Sequence, residues 1–382
     1  MRKTRTRHVT LPPRILTLLL IVATLAHLPS PAAADETALT SPDGRLGVNF
    51  VTIEGEPGYE IFYDGVLVIR PSKLGFVLKG GSAPLFDPCT VGKVRRKKID
   101  ERWRPVWGQK SEIRDHCNEM VVEIRLPLRM KLYFRAYDDG AAFRYEIPKQ
   151  KGFEEFEVTG ELTEYRFAGD HTAWWIPGDW DSYERLYAAT PISQMRTCNT
   201  PVTFETDGGL FISLHEANLT DYAGMTLTPG GSHNEPTSLG LDLVPWPDGV
   251  KVRGKAPLIS PWRTIQISDH AGGLIESDLI LNLNEPCRIK DTSWIRPMKY
   301  VGIWWSLHIK KETWHEGPKH GATTENAKYY IDFASRHNIP GLLIEGWNTG
   351  WDQWGAQGAY DHQTPYDDFD IEEITRYAAE RG

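Results

Sequence analysis

The chain has 382 residues and a formal net charge of −8, long enough for two domains and too acidic overall to favour a nucleic-acid backbone as partner. Its four cysteines, Cys89, Cys117, Cys198 and Cys287, lack the C-x-x-C spacing of a metal site, so a zinc-stapled domain is excluded while free thiols and disulfides both stay open. The chain starts with Arg2, Lys3, Arg5, Arg7 and Arg14, followed by an apolar run from Ile15 to Leu28 and the small residues Ala32-Ala33-Ala34. That order reads as a secretory signal peptide over residues 1–34, and export to the periplasm or medium follows from it. Cleavage there leaves 38 basic against 51 acidic residues and a net charge of −13.

Residues 36–290 read as strands. Short or alternating apolar runs recur between Gly, Pro, Asp and Asn. Tyr59–Tyr63 and Val66–Ile69 flank Asp64-Gly65, the pair a tight hairpin turn prefers. The cluster from Lys93 to Lys98 reads as a solvated hairpin tip. Met120–Leu126, the hairpin Tyr133–Tyr145 around Asp138-Asp139-Gly140, Leu210–His215 and Thr264–Asp269 continue the series. With no helical periodicity in this stretch, one large β-sandwich is expected.

The pattern changes near Pro297. Tyr300–Trp305 is apolar without alternation, as a buried parallel strand requires. Ala327, Tyr330, Ile331 and Ala334 then recur at helical spacing, with Thr323 or Thr324 available as cap. Gly341–Ile344 is a second buried strand. Asp370 and Glu373 open a second helix in the manner of a capping box. Residues 298–382 thus read β-α-β-α, the truncated start of a (β/α)8 barrel, which needs about 250 residues. The fold class expected is multidomain, β and α/β: an N-terminal β-sandwich followed by the first two βα units of a barrel.

Several segments together resemble glycoside hydrolase family 97: Trp103-Arg104-Pro105-Val106-Trp107-Gly108, Phe143-Arg144-Tyr145, Asp170 to Asp179, Leu214-His215-Glu216-Ala217, Pro261-Trp262-Arg263-Thr264, Leu281 to Cys287, Lys299 to Trp305, Glu345 to Trp351 and Asp368-Phe369-Asp370. The resemblance implies an α-glucosidase, inverting and calcium-dependent, acting on an oligosaccharide. A retaining α-galactosidase of the same family and a non-catalytic carbohydrate-binding protein are the alternatives. It also implies that the catalytic acid and base come from later barrel strands, beyond Gly382, so no catalytic residue is assigned within this chain. No nucleic-acid partner is expected, and no membrane span after signal cleavage.

Two places carry the candidate site. Trp304, Trp347 and Asn348 fall at the C-terminal ends of the two barrel strands, the face that bears active sites in such barrels, and are the candidate substrate-binding residues. An indole face stacks on the apolar side of a sugar ring, and an amide bonds its hydroxyls. Asp179-Trp180-Asp181-Ser182-Tyr183-Glu184 gathers carboxylates in one loop without the glycine turn of a self-contained calcium loop. The resemblance implies that Glu184 is a Ca²⁺ ligand, completed by barrel glutamates. His215-Glu216 reads as structural.

Overall fold

The computed structural model describes residues 37–80, 89–125, 128–180, 182–231, 234–353 and 361–382. The signal-peptide reading over residues 1–34 and the side chain of Asp181 lie outside the described residues. The chain divides into two compact units, Met1–Cys287 and Arg288–Gly382.

The first unit is built on two antiparallel sheets. One has eight strands in the order Ala38–Thr40, Leu46–Ile53, Glu56–Tyr63, Val66–Lys73, Glu164–Phe167, Glu235–Leu243, Met225–Gly230 and Cys198–Asn199. The other has ten. Its main path runs Ala188–Pro191, Thr172–Trp175, Val202–Glu205, Phe211–Ala217, Trp262–Ser268, Gly140–Ile147, Arg129–Tyr137, Ile113–Arg125 and Thr90–Trp103. Alternation along each strand sends one set of side chains between the sheets. There Tyr59 of the first sheet meets Phe143 of the second at 4.7 Å between ring centroids, and Phe167 meets Phe204 at 4.4 Å. These rings belong to one continuous core with Leu46, Ile61, Phe134, Tyr145 and Ile265.

The Asp64-Gly65 turn forms as its sequence dictates. Both residues take positive φ, 49° and 76°, which matches the twist of the flanking strands, and Tyr63 pairs with Val66. Gly140 closes the second hairpin at φ 151°, where a Cβ would sit 2.5 Å from the Ile265 carbonyl oxygen. Only glycine fits so close to the neighbouring strand.

Two readings are corrected here. Lys93 to Lys98 do not form a hairpin tip; they lie within the strand Thr90–Trp103, and the turn comes later, at residues 104–112. This strand ends the ten-stranded sheet's path, where charged side chains are at home in water. The unit is also not free of helix. Ala271–Glu276 and Leu279–Asn282 are short helices, the first capped by His270 Nδ1, which accepts from the Gly273 amide.

In the second unit the strands Tyr300–Ile303 and Gly341–Ile344 pair in parallel, Tyr300 opposite Gly341 and Ile303 opposite Ile344. Helix Thr324–Arg336 connects them, and helix Ile371–Glu380 follows. Thr323 caps the first helix by accepting from the Asn326 amide, and Asp370 caps the second by accepting from Glu373. Ile303, Leu307, Ala327, Ile331, Phe369 and Ile374 form its core. The result is two βα units, not a closed barrel. Among the described residues no helix is long and apolar enough to cross a membrane.

Candidate functional site

The loops that follow the two parallel strands carry an aromatic face. Trp304 follows the first strand, is 39% exposed, and packs against His308 at 4.4 Å and Trp305 at 5.5 Å between centroids. His308 meets Trp314 edge-on at 5.3 Å, and Trp314 stacks on Trp351 at 5.6 Å with planes 17° apart. The rings thus form a row from Trp305 to Trp351, with Trp304 among those open to solvent.

Trp347 and Asn348 are held differently. Trp347 is half-buried against Phe369, 5.8 Å between centroids, and its carbonyl accepts from the Tyr366 amide at 2.9 Å. Asn348 is 2% exposed, and its Nδ2 donates to the Asp361 carbonyl at 2.7 Å. The side chains of both are engaged in holding the loop onto residues 361–369. Gly346, at φ 78°, makes the turn into this loop, and a Cβ there would meet Trp314 at 3.1 Å. Glu312 lies nearby with both oxygens engaged: Ser306 Oγ donates at 2.5 Å and Asn326 Nδ2 at 3.1 Å.

Sequence reasoning did not single out His320. Its side chain is fully buried, Nδ1 faces Asp368 and Nε2 faces the Gly346 carbonyl at 3.1 Å. It therefore ties the loop after the second strand to the start of the last helix. No local pattern marks such a residue.

The acidic loop belongs to the first unit. Glu184 is exposed, and its amide accepts support from Ser182 by donating to Oγ at 3.0 Å. Asp179 is paired with Arg185, while its amide donates to Asn199 Oδ1 at 3.1 Å. One carboxylate of the loop is thus spent on an arginine. Among the described residues no group of three or more His, Cys, Asp or Glu side chains could hold a metal ion. Trp180, Tyr183, Leu186 and Tyr187 are all exposed beside Glu184.

Glu216 turns inward. Arg263 Nη1 donates to it at 2.6 Å, and Arg263 also donates to both oxygens of Glu161, at 2.8 and 2.6 Å. Burial opposes the Arg263 charge, but Glu161 and then Glu216 outweigh it and hold the guanidinium well above its ordinary pKa. His215 Nδ1 lies 3.0 Å from Thr200 Oγ1. These contacts are those of a buried structural network. The four cysteines are free thiols, Cys117 and Cys198 buried and Cys287 exposed.

The profile described as Glycosyl-hydrolase 97 N-terminal matches residues 39–286, and the one described as Glycoside hydrolase 97 matches residues 304–382. A retaining alpha-galactosidase of Bacteroides thetaiotaomicron is 26% identical over 397 residues, covering 95% of this chain and 56% of that protein. A probable retaining alpha-galactosidase of Streptomyces bingchenggensis is 29% identical, covering 96% of this chain and 54% of that protein. Among solved structures, a glycoside hydrolase family 97 enzyme from Pseudoalteromonas sp. strain K8, in complex with acarbose and, as a variant, with panose, superposes with a TM-score of 0.83 at 42% identity, covering 90% of this chain and 53% of that one. The chain spans about half the length of the relatives it matches.

Proposed function

The chain belongs to glycoside hydrolase family 97, and on that premise we propose that it serves hydrolysis of α-linked glucosyl groups, with inversion and with calcium. The observation that carries the glucoside reading is the 42% identity to an enzyme crystallised with acarbose and panose, against 26% and 29% to the two galactosidases. Panose is itself an α-linked glucose trisaccharide. The names of those two relatives support a second reading, a retaining α-galactosidase.

Hydrolysis of a glycoside needs two carboxyl groups about 6.5–9.5 Å apart for inversion or about 5–5.5 Å for retention. We assign that pair to polypeptide which the relatives have and this chain does not span. In this reading Trp304 stacks on a sugar ring at the strand ends, its exposed face being free to do so. Trp347 and Asn348 shape the same face by fixing its loop against Phe369 and Asp361.

Calcium takes six to eight oxygen ligands. Glu184 fits one of them: it is a hard, exposed carboxylate, whereas Asp179 is held by Arg185. In the bound state Ca²⁺ would supply a fixed positive charge held in part by Glu184. Residues 1–34 are proposed to direct export, which N-terminal sequencing of the protein recovered from the periplasm or medium would test.

The deciding assay uses a chain extended to the length of its relatives. Expected are faster release of p-nitrophenol from the α-glucoside than from the α-galactoside, and an inverted anomer by proton NMR. The reverse preference with retention would establish the second reading. In the same protein Glu184→Gln is expected to weaken calcium binding by titration calorimetry, and unchanged affinity would remove Glu184 from the site. The 382-residue chain alone is expected to show no turnover above a boiled control.

A further inference from the structure

Four of the segments singled out in the sequence meet in one cleft of the first unit. Trp103, Arg144, Trp262 and the stretch from Leu281 to Cys287 line a cavity of about 440 Å³, together with Arg135 and Asp115. That volume suits a small ligand.

Arg144 and Arg135 stand on neighbouring strands, both near Trp262. Their guanidinium carbons lie 4.3 Å and 5.0 Å from its ring centroid, and Trp262 itself is 1% exposed. The two arginines differ in what answers their charge. Arg135 donates to Glu119 at 2.9 Å and to the Tyr137 hydroxyl at 3.3 Å, and lies 3.8 Å from Asp115. Arg144 has no hydrogen bond or ion pair among the described residues, and its Nε is buried without a partner. Burial, then the charge of Arg135, lowers its pKa from the usual arginine value.

Leaving a partly desolvated guanidinium unanswered is costly. The side-chain amides of the cleft are engaged. Asn282 accepts from Trp103 Nε1 at 2.8 Å and donates to the Arg114 carbonyl at 3.0 Å. Asn284 accepts from the Asn218 amide at 3.0 Å and donates to the Ile280 carbonyl at 2.6 Å. Arg144 is where the cleft keeps donors open.

We propose that this cleft binds a planar oxyanion, a carboxylate, on the guanidinium edge of Arg144 while the guanidinium face rests on Trp262. The fork of an arginine matches the two oxygens of a carboxylate, and a ring beneath it fixes its plane. The site does not depend on the glycosidase reading. The competing arrangement is internal: Glu285, on the rim, swings in to pair with Arg144.

The test is a titration of the 382-residue chain in which sodium acetate replaces sodium chloride at constant ionic strength, read by tryptophan fluorescence and melting temperature. A saturable response with a millimolar midpoint is expected. Arg144→Met should raise that midpoint about tenfold or more, the worth of a charge-assisted hydrogen bond. Arg144→Lys keeps the charge without the fork and should weaken binding by a smaller factor. Glu285→Gln removes the internal competitor and should tighten it. No difference between acetate and chloride, a midpoint unchanged in both Arg144 variants, or binding lost in Glu285→Gln would overturn the proposal.

Discussion

His320 is joined to Asp368 through Nδ1 at 2.8 Å, with no exposed surface on the histidine side chain. Its other nitrogen faces the Gly346 carbonyl, so one ring spans two loops that are remote in sequence. Asp368 is anchored in turn, its carbonyl accepting from the Thr324 amide at 2.9 Å. Replacing His320 by Ala removes the partner of the Gly346 carbonyl and of the half-buried Asp368 carboxylate and should cost about 1–3 kcal/mol. Hydrogen exchange should quicken in residues 346–351 and 368–373, and the Gln variant should recover part of the loss. Unchanged exchange in both stretches would show that the histidine fixes neither.

The buried charges of the first unit offer a sharper experiment. Arg263 is fully buried between Glu161 and Glu216. Arg263→Met strands two carboxylates in the core and should destabilise the chain by about 3–5 kcal/mol in urea unfolding. Adding Glu161→Gln and Glu216→Gln to that variant removes the stranded charges and should recover much of the stability. If the triple variant is no better than the single one, the loss comes from packing and not from charge.

Thiol chemistry should sort three of the cysteines. Burial pushes Cys117 and Cys198 up to about 12, which leaves almost no thiolate at neutral pH. Cys287 is exposed. Native protein treated with an aromatic disulfide reagent should therefore be labelled at Cys287 well before Cys117 or Cys198, which should react only on unfolding. Peptide mapping after brief labelling checks the order, and early labelling of Cys117 would contradict it.

Stability should also carry a pH signature from Asp139. Burial raises its pKa, although Ser277 Oγ donates to the carboxylate at 2.6 Å and works against the rise. A folded-state value above the unfolded one means that the folded chain holds a proton which the unfolded chain has already released. The stability it contributes is full below the unfolded value, about 3.9, and is lost as pH rises through the folded value. Asp139→Asn keeps an acceptor oxygen for Ser277 and cannot ionise. Its stability relative to the wild type should increase between acid and neutral pH. Parallel curves for the two proteins would mean that Asp139 titrates alike in both states.

What the sequence discloses is what neighbours in the chain can arrange between themselves. Asp64-Gly65, the Thr323 cap and the Asp370–Glu373 start of the last helix are all visible because the interacting groups lie within a few residues. The run from Lys93 to Lys98 was open to misreading for the same reason. A charged stretch suits both a turn and the rim of a sheet, and its partners, such as Glu119 opposite Lys97, lie on another strand. Helix Ala271–Glu276 escaped notice because Gly272 and Gly273 weaken any helical signal. His320 with Asp368, and Arg144 with Trp262, are brought together by the fold across long stretches of chain, and no spacing rule announces them.

The strand Thr90–Trp103 bears on how the protein behaves in crowded solution. Among the described residues nothing pairs with its outer side, where alternate residues offer backbone N–H and C=O groups to any passing strand. A second copy approaching in register would bring Lys93, Arg95, Arg96, Lys97 and Lys98 against their own counterparts. Glu123 and Glu119 answer Arg95 and Lys97 within one molecule, while Lys93 and Lys98 add further positive charge along this rim. Repulsion of this kind is shortened by salt, with a screening length of about 10 Å at 0.1 M and 3 Å at 1 M. The barrier that keeps such strands apart is therefore electrostatic, and it is lowest in brine.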